Sequence, residues 1–122
     1  MTMFFYDSYA IIEYVNDNPH FADYFEVHSG ILSLLNLLEV YYIVLKEAGL
    51  EKADIIMEQL FPFIVQPTKN EIRQAMTFRN NRKKQDLSYA DCLGYVISLS
   101  RALLFLTGDK QFIGMDNVQF VK

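Results

Sequence analysis

The chain has 122 residues, enough for one domain with a substantial core, and 52% of them are hydrophobic and 15% aromatic. Charged residues make up 21% and no stretch is low-complexity, which argues against disorder outside short loops. The formal net charge of −4 excludes nucleic-acid binding by bulk positive charge, so any phosphate contact requires a local patch or bound cations.

Taken in chain order, "MFFY" (3–6) is a short aromatic run that reads as a buried strand ending at Asp7. Ser8 to Asn16 reads as a helix with Ile11, Ile12 and Val15 on one face. The cluster "NDNPH" (16–20) breaks the chain. Residues 30–48 read as a long helix, apolar almost all round and therefore expected to be largely buried, with Gly49 closing it. A second, amphipathic helix covers 51–61 and stops at Pro62, and "FIV" (63–65) reads as a short strand. Thr68 and Glu71 are spaced as a capping box, which predicts a helix from 68 to about Arg82 with a basic exit, "RNNRKKQD". Ser88 and Asp91 repeat that spacing and open a helix to about Arg101. A strand, "ALLFL" (102–106), and a last strand, "VQFV" (118–121), follow. Strands alternating with helices predict a three-layer α/β/α sandwich with a mainly parallel central sheet, in a single domain over 1–122.

Cys92 is the only cysteine, so no internal disulfide forms, in keeping with a reducing compartment. The first 15 residues have no basic segment and carry Asp7, unlike a signal peptide. The longest apolar run, "ILSLLNLLEVYYIVL", holds Asn36 and Glu39 and is too short and polar for a membrane span. The expectation is a soluble, cytoplasmic protein with no membrane partner.

In an open parallel sheet, ligands sit beyond the carboxyl ends of the strands. Asp7 follows the first strand and Asp109 follows "LLFLTG", so neighbouring strands would bring both carboxylates to one crevice. Each has a structural alternative: Asp7 as a helix cap, Asp109 as a turn residue. Glu39 lies among Leu37, Leu38, Val40 and Tyr41, where a carboxylate needs a partner. Asn36, one turn earlier, or a tyrosine hydroxyl is the structural answer there. Asp91 already has a capping role, which leaves it free to project past the helix end. Four acids without a cation repel one another, whereas one or two Mg²⁺ or Mn²⁺ ions satisfy them. The absence of His and Cys alongside them argues against zinc. Metal-assisted phosphodiester hydrolysis is the chemistry implied.

The segments "FFYDSYAII", "LNLLEVYY", "LSYADCLGYVIS" and "FLTGDKQF" resemble, in order and approximate spacing, the PIN-domain ribonucleases, above all the small single-domain prokaryotic proteins that include toxins of toxin–antitoxin pairs. The resemblance implies a catalytic and metal-binding set of Asp7, Glu39, Asp91 and Asp109. It further implies Ser8 and Thr107 as supporting hydroxyls, and Asp116 as a further acid near the site or a turn residue. It also implies a homodimer, an antitoxin partner, and Mg²⁺- or Mn²⁺-dependent cleavage of single-stranded RNA. A non-catalytic PIN-like module binding RNA or protein is the second reading. A phospho-acceptor receiver domain is rejected, because "FFYDSY" offers one acid and "FIVQP" ends without one.

Arg79, Arg82 and Lys83 fall within a helical turn of each other and suit either an RNA phosphate track or a solvated helix C-terminus. His20 and His28 read as surface or capping residues, and Cys92 as a small buried hydrophobe. Of the tyrosines, Tyr41, Tyr42, Tyr89 and Tyr95, the sequence selects none as a base-stacking platform.

Overall fold

The computed structural model describes residues 2–122. Four strands, β1 (Met3–Tyr6), β2 (Ser29–Ile31), β3 (Leu104–Thr107) and β4 (Val118–Phe120), form one sheet in the order β2-β1-β3-β4. Every pairing is parallel, with Phe5 opposite Ile31 and Phe105, and Leu106 opposite Gln119. Helices α1 (Ser8–Val15) and α2 (Ala22–Glu26) connect β1 to β2. Helices α3 (Leu34–Ala48), α4 (Leu50–Leu60), α5 (Lys69–Asn80) and α6 (Tyr89–Ser100) connect β2 to β3.

Alternation along the strands divides the core into two. Phe4, Tyr6 and Leu106 face a cluster with Ile11, Phe21, Leu37, Val40 and Val44 under α1, α3 and α4. Phe5 and Phe105 face the other way, against Ala75, Leu93, Ile97 and Phe112 under α5 and α6. The fold is thus mixed α/β with helices on both faces of a parallel sheet, as the sequence pattern predicts. Helix α6 lies close on that second face because position 94 is glycine. A β-carbon there would meet the Phe5 ring at 2.5 Å. This close seat brings the first turn of α6 to the end of the sheet.

Three expectations are corrected. The helix expected from 30 begins at Leu34, and Ser29–Ile31 is instead the edge strand β2. Glycine generally weakens a strand, yet Gly30 is what the Tyr6 ring requires: a β-carbon would meet that ring at 2.4 Å. "FIV" is not a strand of the sheet. Pro62 sits in a turn of 3-10 helix over Phe61–Phe63, and only Ile64 makes a bridge, to Leu32. Helix α3 is not buried all round, since Leu34, Leu38, Tyr42 and Leu45 are exposed along one stripe.

The three capping boxes form as side-chain and backbone pairs at Ser33–Asn36, Thr68–Glu71 and Ser88–Asp91. Glu71 does more than cap. Its carboxylate accepts from Ser100 Oγ, and from Arg101 Nε at 3.0 Å and Nη2 at 2.9 Å, which clips α5 to the end of α6. The Arg101 guanidinium and the Ser100 hydroxyl outweigh burial and hold its pKa down to about 2. A depressed acid contributes stability that is present above its unfolded pKa and lost as pH falls through the folded one. Glu71→Gln is therefore expected to lower stability by about 2 kcal/mol at pH 7, less than a fully buried pair because Arg101 is partly exposed. Urea melts at pH 7 and pH 2 test this, with the two proteins converging at the lower pH.

Candidate active site

The carboxyl end of β1 meets that of β3, the pair at which the strand order reverses, and this is where open α/β sheets hold ligands. Asp7 is the first residue past β1. Its backbone N–H donates to the Leu106 carbonyl at 3.0 Å, which extends the ladder one step. Its carboxylate is 2% exposed, makes no capping hydrogen bond to α1, and accepts from Thr107 Oγ1 at 2.7 Å. Asp7 thus stands at the N-cap position of α1, but its side chain is turned to Thr107 rather than used as a cap. The same Thr107 hydroxyl accepts from the Asp109 backbone N–H at 3.0 Å. One threonine so ties the ends of β1 and β3 together.

Asp109 takes up its turn role as well. It caps the 3-10 turn Lys110–Phe112 by accepting from the Gln111 N–H at 3.0 Å, and it stays partly exposed. Asp91 accepts from the Ser88 N–H at 2.9 Å through one oxygen and is half-buried at the start of α6. These three acids share one electrostatic neighbourhood. Burial pushes the Asp7 carboxyl up to about 7; the Thr107 hydrogen bond offsets this, and the negative charges of Asp91 and Asp109 add to it. Asp91 is raised too, first by burial against its Ser88 bonds, and then by the charges of Asp109 and Asp86.

Glu39 reaches the same end of the sheet by a relay. Ser33 donates from both N–H and Oγ to Asn36 Oδ1, Asn36 Nδ2 donates to Ser8 Oγ at 2.9 Å, and Ser8 Oγ donates to Glu39 Oε1 at 2.6 Å. Asn36 is fully buried and Glu39 only partly. The direct Asn36–Glu39 bond suggested by the sequence is replaced by one through Ser8, the residue after Asp7. Among the described residues no buried side-chain nitrogen or oxygen lacks a partner.

Asp116 is not brought to this end. It lies in the exposed turn that feeds the amino end of β4, and its carbonyl accepts from the Tyr95 hydroxyl at 2.9 Å. Of its two sequence readings, the turn is the one observed. Arg79, Arg82 and Lys83 line one concavity of about 320 Å³ together with Tyr89, at the start of the helix that carries Asp91.

The donor set is oxygen throughout, which suits hard divalent ions. Among the described residues no three His, Cys, Asp or Glu side chains are drawn together tightly enough to hold an ion directly. The charges of Asp7, Asp91 and Asp109 act on one another, and a divalent ion that keeps part of its water shell, as Mg²⁺ does, would relieve that repulsion. Asp7, Asp91 and Asp109 are the residues that would hold it, with Glu39 at the margin.

The chain matches the PIN domain family model over residues 4–118 and belongs to that family. Among solved structures it is similar to Mycobacterium tuberculosis VapC20, described as a Sarcin-Ricin loop cleaving toxin. The identity is 13% over 99% of this chain and 100% of that one, with a TM-score of 0.81. A toxin–antitoxin complex from Klebsiella pneumoniae matches with 16% identity over 95% of each chain and a TM-score of 0.75. VapBC2 from Rickettsia felis, bound to a DNA fragment from its promoter, matches with 16% identity over 99% of this chain and 100% of that one, with a TM-score of 0.73. At these identities the likeness is one of fold. No curated protein sequence matches the chain significantly. Among the described residues no helix is long and apolar enough to cross a membrane.

Proposed function

We propose that this chain is a metal-dependent endoribonuclease that hydrolyses phosphodiester bonds in single-stranded RNA, and that it is the toxin of a toxin–antitoxin pair. The observation that carries the reading is Asp7: a buried carboxylate beyond a central strand, raised by burial and by two neighbouring acids. Such a group is costly as a structural element and useful as a metal ligand. Asp7, Asp91 and Asp109 are assigned to one or two Mg²⁺ or Mn²⁺ ions, and Glu39 to the same site through Ser8. Bound there, the metal supplies a water of lowered pKa and stabilises charge on the phosphate oxygens.

The protein's own part is positional. Thr107 orients the Asp7 carboxylate and the Asp109 backbone, Ser8 orients Glu39, and the Ser88 cap orients Asp91. The partners follow the same reading. The similar solved proteins include complexes with antitoxins, which supports an antitoxin for this chain. The exposed apolar stripe of α3 supports pairing with a second copy. A cytoplasmic location follows for a nuclease of this kind.

The test is cleavage of labelled single-stranded and structured RNAs with Mn²⁺, with Mg²⁺ and with EDTA. Cutting of single-stranded RNA that requires the metal is the expected result. Equal cutting in EDTA would remove the metal from the reaction.

A further inference from the structure

The sequence offers several tyrosines as stacking platforms, and the structure separates them. Tyr95 is buried with its hydroxyl committed to the Asp116 carbonyl, and Tyr41 donates to Asp54 Oδ1 at 2.8 Å. Tyr42 is exposed, but within the apolar stripe of α3. Tyr42 also has a cation over its ring, Lys46 Nζ at 5.4 Å from the centroid, but of the four tyrosines Tyr89 is the one that lines a basic concavity. It is 59% exposed, and the Arg79 guanidinium covers its ring at 4.4 Å from the centroid. Arg79 is itself held in place, since its Nε donates to the Leu87 carbonyl at 3.3 Å.

The ring forms one wall of the concavity lined by Arg79, Asn80, Arg82, Lys83 and Gln85. No acid lines it. Among the described residues the ion pair at N–O contact distance is Glu71–Arg101, so these three cations have no carboxylate partner there. Arg82 packs over the Phe78 ring at 4.7 Å, which leaves its charge at the rim. The combination of a cation-backed ring face and unpaired positive charge, on a chain of net charge −4, suits an unpaired base with its phosphates.

We propose that Tyr89, backed by Arg79, is a stacking subsite for one base of single-stranded RNA, and that Arg82 and Lys83 hold its flanking phosphates. The proposal rests on the ribonuclease reading and names how that site would grip its substrate. Tyr89 and Asp91 are the first and third residues of α6, so their Cα atoms are about 5 Å apart while their side chains leave the helix on opposite sides. A base on Tyr89 therefore lies across the first turn of α6 from Asp91, outside the acid site, and the subsite acts on binding rather than on the bond-breaking step.

The experiment measures binding of a short fluorescein-labelled single-stranded RNA of mixed sequence by anisotropy, in an Asp7→Asn background that removes cleavage. Tyr89→Ala is expected to weaken binding about tenfold, and Tyr89→Phe, which keeps the ring, to bind as the parent does. Lys83→Ala is expected to weaken binding for all sequences and to lower the slope of log K against log salt by roughly one. In the cleaving protein, Tyr89→Ala is expected to raise KM with kcat unchanged. Parental affinity in Tyr89→Ala, or equal weakening in Tyr89→Phe, overturns the subsite. Should the protein cleave no RNA while the Tyr89 pattern holds, the nuclease reading fails and the subsite stands. Should it cleave while Tyr89→Ala changes neither Kd nor KM, the subsite fails and the nuclease reading stands.

Discussion

Asp7→Asn is expected to lower the rate of RNA cleavage by about 10³-fold or more while the fold survives. That factor corresponds to about 4 kcal/mol of lost transition-state stabilisation. Asparagine keeps the shape of the side chain, and its oxygen still accepts from the Thr107 hydroxyl that now reaches Asp7 at 2.7 Å. What it removes is the charge that the proposed metal site relies on. Single-turnover cleavage rates, alongside circular dichroism of both proteins, check the two halves of this expectation. A variant that folds and cuts within tenfold of the parent would remove Asp7 from the catalytic set.

The second large effect is on stability, and it has an unusual sign. The Asp7 pKa stands at about 7, against an ordinary value of 3.8. An acid raised on folding favours the folded state while it is protonated. That contribution is complete below the unfolded pKa and is lost as pH rises from about 4 through 7. At pH 8, without metal, the ionised Asp7 thus costs the fold up to a few kcal/mol. Glu71 works in the opposite direction at low pH, because its contribution disappears between 4.5 and about 2. The metal-free protein is therefore expected to be most stable near pH 5 and to lose stability toward pH 8. Asp7→Asn is expected to flatten that decline and to melt above the parent at pH 8. Adding Mn²⁺ to the parent at pH 8 is expected to recover the loss, by about 2.7 kcal/mol at a concentration 100 times its Kd. Melting temperatures from pH 4 to 8, with EDTA or Mn²⁺, test the whole pattern. A parent that is as stable at pH 8 in EDTA as at pH 5 would contradict it.

Much of this arrangement is legible in the residues, and the exceptions have physical causes. Strands β1 and β3 announce themselves as aromatic and aliphatic runs stopped by Asp7 and by Thr107-Gly108-Asp109, so the residues alone place the acids at their ends. The boxes at Thr68 and Ser88 mark the starts of α5 and α6 to within a residue. Strand β2 is invisible because three residues, Ser29–Ile31, carry no period of their own and contain a glycine. Its place is fixed by the Tyr6 ring on the neighbouring strand, a tertiary demand with no local trace. "FIV" misleads for the reverse reason: its β-branched residues suit a strand, but Pro62 holds Phe63 in a 3-10 turn and leaves only Ile64 to bridge Leu32. Helix α2 spans only Ala22–Glu26 and presents no apolar stripe to read. At the site, the relay from Asn36 through Ser8 to Glu39 joins residues 28 and 31 positions apart, and spacing along one helix cannot reveal it. Only the fold brings the start of α1 against α3.

The proposed reaction requires a divalent ion, and that ion is assigned to Asp7 and its neighbours at the carboxyl ends of β1 and β3. Titration of Mn²⁺ into the purified protein at pH 8, followed by the loss of the free-ion paramagnetic resonance signal, reads this directly in parent and Asp7→Asn. The parent is expected to bind one or two ions, and the variant to bind at least tenfold more weakly. Equal Mn²⁺ binding by the two proteins, or none by the parent, would contradict a metal site built on Asp7.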